Sequence, residues 1–399
     1  MDSFKITPFV ILIISVLELN VWEFRQISNS LVRLVVVSFI IEVGFIGVFT
    51  YILQFETLAW AQFSSYGFIW PAICPAVLVP SLLQLKRMGY GEESGVINLL
   101  VAASCILEVL TNMTDGFLEC LSVFNVSSTY VKIILFAEEL FIELGIGIIF
   151  GVIMMFVPSN AWTKLSSILK KRKNDNPHIN KNQNIVSLLS IIRAILLCFV
   201  GLLIGLYKWY TDLPITYSLG CAISTILAST SWKCKNQNNI NPTISSSKGI
   251  NNQAQHEINA ISKIFEFIWN VLHPLIFVLI GYDLSYTIYS INTAMVLTGI
   301  IIFMVVIIIR IITATCSVWG TGFNYNEIIF INMAWIVNSS IMTCFTTTSH
   351  LFGQTPLEDF YNQIVLIIGI FLLLRVFLGS FVIHKFGPIL LTNTVQYGH

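Results

Sequence analysis

Trp70-Pro71-Ala72-Ile73-Cys74-Pro75-Ala76-Val77-Leu78-Val79-Pro80-Ser81 lies within a stretch, 58–85, that is otherwise apolar and long enough to cross a bilayer. Its prolines cannot share one regular helix, because each removes a backbone donor and pushes its ring into the carbonyl one turn back. Broken backbone at membrane depth is tolerated only where it is buried in protein or lines a cavity. A related interruption occurs at His273-Pro274, followed by Leu275-Ile276-Phe277-Val278-Leu279-Ile280-Gly281-Tyr282-Asp283. Two ordinary proline kinks are the plainer explanation. Two interrupted spans in separate parts of a long apolar chain point instead to inverted repeats whose half-helices meet at a midplane ion site. Asp283, close to the second break, is placed to neutralise the positive N-terminal end of a half-helix.

Composition agrees with a membrane setting. Of 399 residues, 56% are hydrophobic and 11% charged, with 21 Lys+Arg against 21 Asp+Glu. Soluble domains carry about 25% charged residues, so lipid is the solvent for most of this chain. Disorder, collagen, coiled coil and a basic nucleic-acid binder are excluded by the same numbers. The eight cysteines form no C-x-x-C pair and lie mostly in apolar stretches, as small packing residues do. The first residues lead into an apolar segment with no small-residue cleavage site before Glu18, so no cleaved signal peptide is expected. No nucleotide-binding glycine pattern, H-E-x-x-H or Ser-His-Asp order is present. Neither an enzyme nor a bound cofactor is therefore expected.

Hydropathy predicts about eleven transmembrane helices, at 8–22, 29–53, 58–85, 94–113, 131–157, 185–207, 213–231, 261–281, 291–316, 327–349 and 361–383. Loop charge supplies an independent check. Loops after odd-numbered spans hold Arg25, Lys86, Arg87, Lys164, Lys170, Lys171, Arg172, Lys173, Lys181, Lys233, Lys235, Lys248 and Lys385. The opposite side holds little beyond Lys5, Lys132 and Lys208. This places 158–184, 232–260 and the C-terminus in the cytoplasm and the N-terminus outside. The sequon Asn125-Val126-Ser127 falls on the outer side.

Ionisable residues within spans are costly and mark function by default. Those here are Glu18, Arg33, Glu42, Glu108, Glu138, Glu139, Glu143, Arg193, Glu266, Asp283, Arg310 and Arg375. Snorkelling from span ends accounts for Glu138, Arg193 and Arg375. Glu42, Glu108 and Arg310 lie too deep for that.

At the proline-rich stretch the chain resembles the NHA-type sodium/proton antiporters, solute carrier family 9 subfamily B of the cation/proton antiporter superfamily. The family's S-P-A-V-V-V-P-S is similar to Cys74–Ser81, its G-Y-G to Gly89-Tyr90-Gly91, and its P-L-L-F-G-L-I-G-A-E to Pro274–Asp283. Arg310-Ile311, Gly322-Phe323-Asn324, Ala334-Trp335 and Leu357-Glu358-Asp359 also match, in order, between about residues 28 and 390. The resemblance implies an all-α polytopic antiporter fold with inverted repeats and two crossing broken helices, carrying the motif prolines Pro75, Pro80 and Pro274. It also implies a homodimer that exchanges Na⁺ or Li⁺ for H⁺ by alternating access, with membrane lipid as a further partner. Its Asp-Asp pair falls on Leu107-Glu108, its buried Glu on Glu42, its membrane Arg on Arg310, and its Lys on Asn338. The aspartate-to-leucine change at Leu107 and the lysine-to-asparagine change at Asn338 depart from the pattern. The family's first membrane segments and cytosolic head have no counterpart in these residues.

The resulting expectation is an ion site at Glu108, with Ser104 and Asn112 adding oxygen ligands and no metal beyond the transported cation. Glu42 and Arg310 are expected to form a structural ion pair. With Leu107 and Asn338 unable to titrate, charge bookkeeping allows one proton per cation, so exchange is expected to be electroneutral. The competing expectation is a non-transporting membrane paralogue, a scaffold or regulatory subunit. The expected organisation is 1–57, N-terminal spans on the scaffold and dimer side; 58–130, first core repeat; 131–260, middle scaffold spans and cytoplasmic loops; 261–349, second core repeat; and 350–399, last span and tail. The chain is expected to be multi-pass, in the plasma membrane or an organelle membrane.

Overall fold

The computed structural model describes residues 7–19, 21–54, 75–91, 94–123, 129–156, 190–204, 217–238, 260–272, 293–336 and 377–392, with a few single positions between 274 and 281 and at 370 and 374. The elements they form are helices, the only open-ended structure whose backbone groups are all satisfied within the segment in lipid. In order they are α1 (Thr7–Glu18), α2 (Val21–Val32), a π turn (Arg33–Val37) and α3 (Ser38–Gln54), then α4 (Pro75–Arg87), α5 (Val96–Val123) and α6 (Thr129–Phe156). There follow α7 (Ser190–Ile204), α8 (Tyr217–Asn238), α9 (260–272), α10 (Thr293–Val318), α11 (Tyr325–Ile336) and α12 (Phe377–Leu390).

Ile27–Phe45, Val96–Thr114 and Tyr130–Phe156 are long and apolar enough to cross a membrane, and shorter apolar helices cover Ser190–Ile204, Phe303–Val318 and Phe377–Leu390. The outward faces are lipid-like: Phe141, Ile149, Ile153 and Phe156 on α6 are all exposed. By contrast α1 is enclosed on every side, with Leu12 through Leu17 all buried against α4, α5 and α8.

Local sequence explains the helix ends. Pro75 is the first described residue of α4, and Pro80 lies inside the same helix and leaves one carbonyl without its donor. Gly89, Gly91 and Gly95 take positive φ in the turn between α4 and α5, a conformation that residues with a Cβ rarely adopt. At the start of α11 the Glu327 carboxylate reaches back one turn, its Oε2 accepting the Asn324 N–H at 2.8 Å. Three helices run past their expected ends, and α2 begins at Val21, so Arg25 lies in a helix and not in a loop; α5, expected to stop at 113, continues to Val123. Helix α8 continues to Asn238 because Trp232 is buried, its Nε1–H donating to the Met154 carbonyl at 3.3 Å. Helix α12 continues to Leu390, since Gly387 brings its backbone against Leu85 and Lys385 stacks on Phe381 within the helix.

Close helix crossings depend on glycine. On α6, Gly147 and Gly151 form a small-xxx-small step against Gly220 and Leu227 of α8, and a Cβ on Gly147 would lie 2.7 Å from the Gly220 carbonyl oxygen.

The helix ends assigned to the cytoplasm by charge also meet in space. Arg87, ending α4, forms a bidentate ion pair with Glu266 of α9 and lies within electrostatic reach of Glu18 at the end of α1. That hydrogen bond to Glu266 holds the Arg87 guanidinium above its ordinary range, so it remains a cation at any pH the protein meets. At the same end the Gly91 N–H donates to the Thr392 carbonyl just beyond α12 at 3.0 Å.

Candidate ion-binding site

Helix α5 carries Ala102-Ala103-Ser104-Cys105-Ile106-Leu107-Glu108-Val109-Leu110-Thr111-Asn112. Ser104, Glu108 and Asn112 recur at steps of four, which stacks them on one face. Small residues at Ala102 and Ala103, both fully buried, let neighbouring helices close over that turn. Ser104 is also fully buried, and Glu108 is only 3% exposed.

The hydrogen bonds leave one ligating atom open. Asn112 Nδ2 donates to Glu108 Oε1 over a long 3.4 Å, which leaves the Asn112 amide oxygen for another partner. Ser104 donates to the Val101 carbonyl at 2.8 Å and Thr111 to the Glu108 carbonyl at 3.0 Å, so each hydroxyl oxygen retains lone pairs. Glu108 Oε2 is buried and has no hydrogen-bond partner among the described residues. An open buried carboxylate oxygen is expensive, and a proton or a desolvated cation would satisfy it. Leu107, next in sequence and 1% exposed, contributes only hydrocarbon. Among the described residues no group of three His, Cys, Asp or Glu side chains could hold a resident metal. Cys105, one turn from Glu108, lies within electrostatic reach of both Glu108 and Cys221, so α8 forms a wall of this region.

The structure brings Glu42 and Arg310 together. Arg310 Nη2 is 3.2 Å from Glu42 Oε2, each side chain 1% exposed, where α3 packs on α10. Thr313, one turn beyond Arg310, donates to Glu42 Oε1 at 3.5 Å. The helical run containing Glu42 does not bring it to Glu108 by any described contact. Pro75 and Pro80 lie in α4, and Pro274 is a helical, exposed position. Asp283, Asn338, Arg375 and the residues preceding Pro75 lie outside the described residues.

Two ionisable groups take places that the sequence did not specify. Arg193 does not snorkel: it is 7% exposed, and its guanidinium sits 4.7 Å above the Trp232 ring, a site made by the continuation of α8. Glu143, 1% exposed, accepts the Gly220 N–H at 3.1 Å. It therefore ties α6 to the backbone of α8 where the two helices cross at Gly220. The available signal was the position of Glu143 one turn before Gly147 and Gly151 on the same face.

No protein-family model matches the chain. Its curated relatives include sodium/hydrogen exchanger 9B2 of Mus musculus, 27% identical over 384 residues that cover 95% of this chain and 61% of the relative. Sodium/hydrogen exchanger 9B2 of Homo sapiens is 27% identical, covering 84% of this chain and 54% of the relative. Sodium/hydrogen exchanger 9B1 of Homo sapiens is 24% identical, covering 96% and 65%. The chain thus spans somewhat more than half the length of these relatives. Among solved structures, the sodium proton antiporter MjNhaP1 of Methanocaldococcus jannaschii aligns with a TM-score of 0.56 at 17% identity, over 98% of this chain and 85% of that one. In fold the chain is a multi-pass, all-helical membrane protein similar to a sodium proton antiporter, and in sequence it is similar to the 9B sodium/hydrogen exchangers.

Proposed function

We propose that this chain exchanges a monovalent cation, Na⁺ or Li⁺, for H⁺ by alternating access, with Glu108 as the shared site. The observation that carries the reading is the open, buried Oε2 of Glu108 on a face that also presents Ser104 and Asn112. An exchanger needs a group that holds one ion or the other and never both. A carboxylate that has left bulk water meets this need, since it must be compensated either by a proton or by a cation. Ser104 Oγ, Asn112 Oδ1 and nearby carbonyls replace part of the cation's hydration shell. Leu107 supplies no second charge beside it, which supports electroneutral exchange, one proton per cation. The Glu42–Arg310 pair serves as a fixed brace between α3 and α10 rather than as a carrier. A homodimer with a moving core of two repeats against a scaffold, divided as 1–57, 58–130, 131–260, 261–349 and 350–399, completes the proposal.

The test is proton flux in proteoliposomes driven by Na⁺ or Li⁺ gradients, comparing the native chain with Glu108→Gln. Expected are native flux in the absence of net current and loss of at least tenfold in the variant. Flux unchanged by Glu108→Gln would refute the site, and current coupled to exchange would refute electroneutrality. Leu107, apolar and buried beside the site, favours the second reading, a non-transporting scaffold; absence of flux in both proteins would support it.

A further inference from the structure

Between α2 and α3 the π turn begins at Arg33. Helix α2, this turn and α3 form one unbroken run, and its outward face reads Asn29, Val32, Arg33, Val36, Val37 and Ile40, all exposed. The opposite face, Leu31, Leu34, Val35 and Ser38, is buried in the bundle. A cation thus stands in the centre of an exposed apolar stripe. Among the described residues its side chain has neither an ion-pair nor a hydrogen-bond partner.

Direction settles what can reach it. Charge bias places the start of this span in the cytoplasm, and Arg33 lies six residues past Ile27, where the apolar span begins, about 9 Å at the helical rise. Side chains lean towards the helix N-terminus, so the Arg33 guanidinium is carried towards the cytoplasmic headgroups and towards Asn29, one turn earlier on the same face. The cytoplasmic leaflet is the one that contains anionic lipid. The guanidinium fork matches a phosphate bidentately, the Asn29 amide adds a donor, and Val32, Val36, Val37 and Ile40 line the path of the acyl chains.

We infer that Asn29 and Arg33 bind the phosphate of an anionic phospholipid from the cytoplasmic leaflet, with the valine stripe holding its acyl chains. This site is independent of Glu108, and its test does not involve ion flux. The full chain, purified in detergent, is exposed to equal amounts of phosphatidylserine and phosphatidylcholine, and retained lipid is read by native mass spectrometry. The native chain is expected to prefer phosphatidylserine. Arg33→Gln should lower that preference about fivefold, the effect of one near-surface basic residue, while Arg33→Lys should keep most of it. An unchanged preference in Arg33→Gln overturns the inference. Should that variant not fold, the native chain is offered phosphatidic acid and diacylglycerol with matched acyl chains; no preference for the phosphate-bearing lipid overturns it equally. Displacement of the retained lipid by millimolar inorganic phosphate would identify a soluble-anion site, and a shifted monomer–dimer balance in Arg33→Gln with lipid preference intact would assign the face to a second copy. Either result overturns the lipid assignment.

Discussion

Glu42→Gln keeps the volume of the buried acid but removes its charge, leaving Arg310 as a cation 1% exposed at the α3–α10 contact. At the observed 3.2 Å and an effective dielectric of about 20, the direct attraction is about 5 kcal/mol. Desolvation of both groups offsets much of this in the intact pair, but removing one partner leaves the penalty without the gain. Breaking a buried pair from one side typically costs about 3–5 kcal/mol. Replacing both partners by groups of similar size is often close to neutral. The cycle of Glu42→Gln, Arg310→Met and the double variant should therefore show each single change lowering stability by about 3–5 kcal/mol. The double should be no worse than either single, giving a coupling of at least about 3 kcal/mol. Unfolding in mixed micelles titrated with SDS reads these values. Single variants whose losses add to within about 0.5 kcal/mol would refute the reasoning, since the two charges would then be satisfied by other groups.

At the α6–α8 crossing, Gly147→Ala should cost about 1–3 kcal/mol in the same titration, because the new methyl meets the backbone of Gly220 and not a flexible side chain. Gly44→Ala, with open space around its Cβ position, is the control and should be close to neutral. Glu327→Ala removes the acceptor of the Asn324 N–H at the start of α11 and should cost about 1 kcal/mol, measurable as faster hydrogen exchange at Asn324 and the first turn of that helix. Glu108→Asp should retain exchange with a higher half-saturating cation concentration, since it keeps the carboxylate but withdraws it by one methylene; concentration-dependent flux in proteoliposomes checks this. Arg87→Ala should change stability by no more than about 1 kcal/mol, and less at high salt, because that ion pair is half-exposed.

Charges in apolar surroundings were the most legible part of the sequence. Glu42, Glu108 and Arg310 stand out because lipid penalises them wherever they lie, and the penalty is visible without knowing any neighbour. Which neighbour relieves it depends on helix packing, which a linear sequence does not encode in the same way. Arg193 shows the difference. Its position near a span end fitted snorkelling, yet Trp232, about forty residues later, provides an aromatic face inside the protein. Glu143 was visible as a buried acid, but its partner is a backbone N–H of Gly220, and backbone groups leave no residue-type signature. The long helices between Ile27 and Phe156 were legible because length and apolarity alone specify them. The extensions of α8 and α12 were not, because a polar helix end is held by specific tertiary contacts at Trp232 and Gly387.

The enclosure of α1 has a consequence for biogenesis. Its neighbours on α4 and α5 follow within about a hundred residues, but those on α8 are made some two hundred residues later. At about 5–20 residues per second, α1 waits on the order of ten to forty seconds before its last wall exists. Its surface from Leu12 to Leu17, apolar except for the hydroxyl of Ser15, lets it wait in lipid or beside the insertion machinery without exposing a charge. This early helix is thus sealed only once α8 has been made, long after its own synthesis.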